Sequence, residues 1–113
     1  MTRQEKLEAL ANMITAQQQE SLHRRNCACQ ANLDTSHGII IEGKKYTRID
    51  IGSLDPNSLH RSGRLMIDEA GDIYGIKAYG VIHRGHRYGN LDTISEWWWG
   101  EYYPQRIAQQ RRA

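Results

Sequence analysis

"GIIIEGKKYTRIDIG", residues 38–52, decides how this chain has to be read. Upstream of it, apolar residues recur at helical intervals. Within it they run together or alternate with polar ones, the period of a strand. Tyr46, Arg48 and Asp50 alternate with Thr47, Ile49 and Ile51, and Glu42-Gly43-Lys44-Lys45 has the polar, glycine-containing chemistry of a reversal. The stretch predicts two short strands around a turn and marks residues 36–91 as the sheet-forming part.

Residues 3–25 hold neither Gly nor Pro, and Leu7, Leu10, Ala11, Ile14 and Leu22 fall on one helical stripe. Gln17, Gln18 and Ser21 interrupt that stripe, so "AQQQES" (16–21) is expected to bury little. Residues 1–32 read as an N-terminal helix and connector, the helix packing on the sheet through its first half. The alternative is an arm that pairs with a second copy.

Downstream, "SLDPNSLHRSG" (53–63) is a loop around Pro56-Asn57. "RLMIDEAGDIYGIKAYG" (64–80) is a second hairpin turning at Glu69-Ala70-Gly71-Asp72, with a bend expected at Gly75 or Gly80. Residues 92–104 form an aromatic segment, helical or irregular: a short helix would be capped by Asp92 or Thr93, and Gly100 and Pro104 stop anything regular. Residues 105–113 are a polar tail. The expected fold is α+β, one small domain over 1–113. Its N-terminal helix packs on a strongly twisted antiparallel sheet of about four to six strands, open or curled into a partial barrel.

The 113 residues are 39% hydrophobic and lack Phe, so Leu, Ile, Val, Tyr and Trp must supply a modest core. A second copy would add buried surface, and a homodimer is expected. Fifteen basic and thirteen acidic side chains leave a net charge of +2, unlike the large excess of a dedicated nucleic-acid binder. No apolar run nears the ~20 residues that cross a bilayer, and the first residues carry no apolar leader. No membrane partner is expected. Cys27 and Cys29 are too few and too close for a disulfide framework. The expectation is a cytoplasmic chain with reduced thiols. No phosphate loop or cofactor motif is present, so no cofactor is expected.

Two stretches carry unusual chemistry. In "YGVIHRGHRYGNL" (79–91), Gly85-His86 suits the centre of a type II′ turn, which wants Gly first. On that register Arg84 faces Arg87 and His83 faces Tyr88, setting two guanidinium groups side by side at a hairpin tip. At a solvated surface their repulsion is about 1 kcal/mol or less, and an anion would relieve it. Arg61, Arg64 and Lys77 lie nearby in sequence, whereas the acids of residues 60–88 are confined to Asp68, Glu69 and Asp72. Together these predict a basic face.

The second stretch is "EWWWGEYY" (96–103). Trp97, Trp98 and Trp99 cannot all face one core, because neighbouring side chains diverge in a helix or a strand. One indole is expected in the core and a neighbour at an interface, with Tyr102 and Tyr103 extending the surface.

Two further chemistries were weighed. His23, Cys27, Cys29 and His37 are residue types that zinc accepts, but H-x3-C-x-C-x7-H matches no zinc motif with justified geometry. His83 or His86, with Tyr88 and the two arginines, offers the acid, base and cations of a metal-independent ribonuclease, without a supporting motif. The leading expectation is a non-enzymatic protein-interaction module, or a small inhibitor of a nucleic-acid-handling protein, that binds a protein partner. Its contact residues would be Arg61, Arg64, Lys77, His83, Arg84, His86, Arg87, Trp97, Trp98 and Trp99. Direct nucleic-acid binding through the basic tip is the first alternative, and the ribonuclease is the second.

Overall fold

The computed structural model describes residues 1–78 and 81–107. Two helices come first, α1 (Arg3–Arg24) and α2 (Gln30–Asp34). Five strands follow: β1 (His37–Glu42), β2 (Thr47–Gly52), β3 (Arg61–Ile67), β4 (Asp72–Ala78) and β5 (Val81–Asn90). A 3-10 turn (Ile94–Glu96) leads into the two-residue strands β6 (Trp97–Trp98) and β7 (Gln105–Arg106). The fold is α+β: α1 packs on an antiparallel five-stranded sheet with neighbours in chain order, and β6 pairs with β7 beside it.

α1 begins and ends where its backbone groups find partners. The Thr2 hydroxyl accepts the Glu5 N–H at 3.1 Å, and the Thr2 N–H donates to the Glu5 carboxylate at 3.0 Å, a reciprocal capping box. At the other end Asn26 adopts φ 58°, which lets the Cys27 N–H reach the Leu22 carbonyl and the Asn26 N–H the His23 carbonyl.

Leu7, Leu10 and Ile14 of α1 meet Ile49, Leu65, Ile67, Ile73, Leu91 and Trp99 in the core. Approach is close at β1: a Cβ on Gly38 would stand 2.7 Å from the Ala11 carbonyl oxygen. The Gly38 N–H donates to the Thr15 hydroxyl at 2.9 Å. The stripe of α1 is therefore spent on its own sheet, and the alternative of an arm for a second copy does not hold.

Several local expectations need correction. The sheet is open, its edges β1 and β5, with no barrel closure. Residues 61–63, expected in a loop, begin β3, which puts Arg61 and Arg64 on a strand. Gly75 lies within β4, which runs on past it to Ala78, at a register irregularity where His86 and Tyr88 approach closely; Gly80 lies outside the described residues. α2 was not foreseen. The aromatic segment forms a 3-10 turn and a short strand instead of a helix. The tail's Gln105 and Arg106 pair with Trp98 and Trp97, while residues 108–113 lie outside the described residues.

"AQQQES" also does more than expected. The Gln17 side-chain oxygen accepts the Trp99 N–H and the Gln18 amide donates to the Trp99 carbonyl, both at 2.7 Å. A two-residue strand leaves backbone groups without ladder partners, and the polar turn of α1 satisfies them. That link pins the aromatic segment across the sheet.

Candidate functional site

The largest correction falls on residues 79–91. Gly85-His86 is not a hairpin turn. The chain reverses between Ala78 and Val81, and β5 runs on through Asn90. β4 pairs Gly75 with His83 and Tyr74 with Arg87, so Arg84, Gly85 and His86 stand opposite no residue. An odd number of inserted residues reverses the side on which later side chains emerge. His83, His86 and Tyr88 thereby share one side of β5, and Arg84 and Arg87 share the other.

On the arginine side the two guanidinium groups do not face each other as a pair. Arg84 donates to the Tyr46 hydroxyl at 2.8 Å and lies 5.4 Å from the Tyr74 ring centre. Arg87 donates to Asp72 at 2.6 Å. Each partner holds the charged form, so both arginines titrate above their usual range, Arg84 through its Tyr46 hydrogen bond and Arg87 through Asp72. The like-charge tip expected from the hairpin register is therefore absent, and each arginine has its own partner. Deeper on this side Arg48 grips Asp50 with two nitrogens, at 2.6 and 3.2 Å, and Asp50 is only 4% exposed.

The histidine side is different. The imidazoles of His83 and His86 lie 4.0 Å apart, centre to centre. His86 faces the edge of Tyr103 at 6.4 Å, and Tyr88 meets Trp97 edge-to-face at 5.6 Å. Gly75 makes room for this row: a Cβ there would touch His86 and Tyr88 at 3.4 Å. Arg64 reaches the same side from β3, where the pairing shifts register and leaves it unmatched. Its guanidinium lies 4.6 Å from the Tyr102 ring centre, the contact of a cation on a π face.

The result is a cleft between β5 and the aromatic segment. Gly63, Arg64, Gly75, His86, Tyr88 and Tyr102 line a cavity of about 80 Å³ at one end. A shallower recess of about 380 Å³, lined by Gly85, His86, Arg87, Tyr88, Trp97 and Tyr103, adjoins it through the shared side chains of His86, Tyr88 and Tyr103. No Asp or Glu lines either part. Burial, with a smaller contribution from Tyr103, pushes the Tyr88 phenol up. Burial also lowers Arg64 from the usual arginine value, against an opposing contribution from Tyr102.

Gly89 secures the cleft wall. It adopts φ +73°, a conformation that favours glycine, and a Cβ there would lie 2.5 Å from the Thr93 hydroxyl and 2.8 Å from the Trp97 indole nitrogen. Trp97 can therefore close against β5 only because residue 89 has no side chain.

Of the residues singled out from sequence, the cleft gathers Arg64, His86, Trp97 and Tyr88, with His83 stacked on His86 and Arg87 at the rim. Arg61 instead donates to the Ser53 carbonyl, and Lys77 is exposed on β4. Trp99 is 2% exposed in the core and donates its indole N–H to the Ile94 carbonyl at 3.0 Å. Trp98 is half-buried under Arg24. The predicted basic face is thus divided between two sides of the sheet. Among the described residues no three His, Cys, Asp or Glu side chains come together as a metal-holding group, so His23, Cys27, Cys29 and His37 do not form one.

Tyr102 and Tyr103 were named only as an extension of the Trp run, yet they form the outer wall of the cleft. Their signal in the sequence was adjacency to Pro104, which helps turn the chain back toward β7. No helix among the described residues is long and apolar enough to cross a membrane. No protein-family model, curated protein or solved structure matches this chain.

Proposed function

We propose that this is a non-enzymatic binding protein that engages a protein partner through the aromatic rim of the cleft. The observation that carries the reading is the exposure of Tyr102 and Tyr103, at 69% and 60%, on a segment fixed by Gln17 and Gln18. Large rings held rigidly in water lose little entropy on docking, which is why Tyr and Trp dominate protein contacts.

A nucleic-acid groove is supported less well. Tracking a phosphate backbone needs a row of available cations, and here Arg48, Arg87 and Arg106 are each tied to a carboxylate. An inhibitor of a nucleic-acid-handling protein would be one case of such a partner contact, made through the same aromatic rim. Catalysis also fits poorly. The two imidazoles, 4.0 Å apart, cannot flank a reacting phosphorus as acid and base, and a single imidazole with Tyr88 supplies residue types without an opposed pair.

The test compares the wild-type chain with the Tyr102→Ala/Tyr103→Ala variant as immobilised bait. A partner identified on the wild type should then bind as a purified protein, with the double variant weakened by about tenfold or more. Equal binding by both would overturn the reading. So would a saturable, salt-sensitive fluorescence response to short single-stranded RNA or DNA, or cleavage of RNA without metal.

A further inference from the structure

Arg64 is the side chain that a purely aromatic contact leaves unexplained. Arg3, Arg24, Arg25, Arg48, Arg61, Arg84, Arg87 and Arg106 each make a hydrogen bond or ion pair. Among the described residues Arg64 alone of the arginines has neither, although it is half-buried; the Tyr102 ring is its contact. Its nitrogens keep contact with solvent, so the guanidinium is a cation available at the cleft and tied to no carboxylate.

We propose that the cavity at Arg64 binds the phosphate of a phosphate monoester carried on a planar ring, with the ring lying in the adjoining aromatic recess. The dimensions agree. A cavity of about 80 Å³ has room for a phosphate group, and the larger recess opens beside it. The recess of about 380 Å³ beside it is walled by His86, Tyr88, Trp97 and Tyr103, which offer faces and edges to a ring.

The chemistry agrees too. Arg64 supplies a forked donor suited to an oxyanion. His86, Tyr88, Tyr102 and Tyr103 line the same cavity and carry further groups able to donate to an oxyanion. The absence of Asp and Glu from the lining removes the competing internal anion. Burial keeps the Tyr88 phenol protonated, and so able to donate.

Two sources share this chemistry, a nucleotide and an aryl phosphate. The experiment titrates the full chain with inorganic phosphate, phenyl phosphate and uridine 5′-monophosphate at constant ionic strength, following tryptophan fluorescence. Both ring-bearing probes should saturate, at concentrations about tenfold or more below inorganic phosphate. Arg64→Gln should weaken both by about tenfold or more with an unchanged melting temperature, and Lys77→Gln should leave them as they were. Tighter binding of the uridine compound assigns a nucleotide; tighter binding of phenyl phosphate assigns an aryl phosphate. No saturation of either ring-bearing probe by about 10 mM, or equal binding by Arg64→Gln, overturns the site. The site shares Tyr102 and Tyr103 with the proposed partner contact, but the two tests fail separately: Arg64→Gln with small phosphates reads this site, and the double tyrosine variant with a purified protein reads the other.

Discussion

Arg87 and Arg64 sit on opposite sides of one sheet and solve the same problem in opposite ways. Arg87 is exposed, and Asp72 answers its charge at 2.6 Å. Arg64 is half-buried, and a tyrosine ring is all that answers it. Arg64 keeps its nitrogens in contact with solvent and goes without a carboxylate, which leaves its charge available at the cleft. The side of the sheet with Arg48–Asp50 and Arg87–Asp72 follows the logic of stability. The cleft side leaves a cation without an acceptor, and such exceptions to local consistency are where function concentrates.

Four changes would break or sharpen that contrast. Gly89→Ala should have the largest effect. It forces an L residue into a left-handed conformation, costing about 1–2 kcal/mol, and drives a methyl group into Thr93 and Trp97, adding about 1–3 kcal/mol. Denaturant unfolding should show a loss near 3 kcal/mol, and the Trp97 environment should change in near-ultraviolet circular dichroism. A loss below about 1 kcal/mol would mean the cleft wall is looser than its geometry implies.

Next is Arg48→Met, on the opposite side. It strands the buried Asp50 carboxylate and should cost about 3 kcal/mol at pH 7. A variant as stable as the wild type at pH 7 would show that the pair does not hold this side together.

The third change sets the two arginines against each other. Arg64→Met removes an unanswered half-buried charge and should leave stability unchanged or raise it by up to about 1 kcal/mol. Arg87→Met loses a surface pair and should lower the melting temperature slightly. If both lose stability equally, Arg64 is a structural residue and the contrast fails.

The smallest effect lies at the start of α1. Hydrogen bonds from the Thr2 backbone, and then its side chain, lower Glu5 below its ordinary 4.5. A depressed carboxyl stabilises the fold above its unfolded value and loses that contribution as pH falls through its folded one. Helix content by circular dichroism should therefore soften as pH falls below the ordinary 4.5, and Glu5→Gln, which cannot titrate, should flatten the change. An unaltered acid limb in Glu5→Gln would remove Glu5 as its cause.

Much of the fold was legible because it is local. The apolar spacing from Leu7 to Ile14 fixed a helix and its buried face, and the alternation through residues 46–51 fixed β2. The turns at 43–46 and 68–71 follow from Gly, Asp and Lys in short polar runs. The site was less legible. "HRGHR" (83–87) contains a glycine that suits a turn, and nothing local distinguishes a turn from a bulge at that glycine. The choice depends on where β4 ends and on the packing of Tyr88 and Trp97 against Gly75 and Gly89, contacts made across the chain.

Sequence alone therefore determined the α+β order of elements, the helical face that would be buried, and the impossibility of placing all three Trp in one core. Helical and strand periods are properties of adjacent residues, and burial follows the period. Only the tertiary structure decided which side of the sheet each charged group occupies, and with it the pairing of Arg87 and the solitude of Arg64. Strand side chains alternate strictly, so three unmatched residues in β5 and one in β3 were enough to move whole groups from one side to the other.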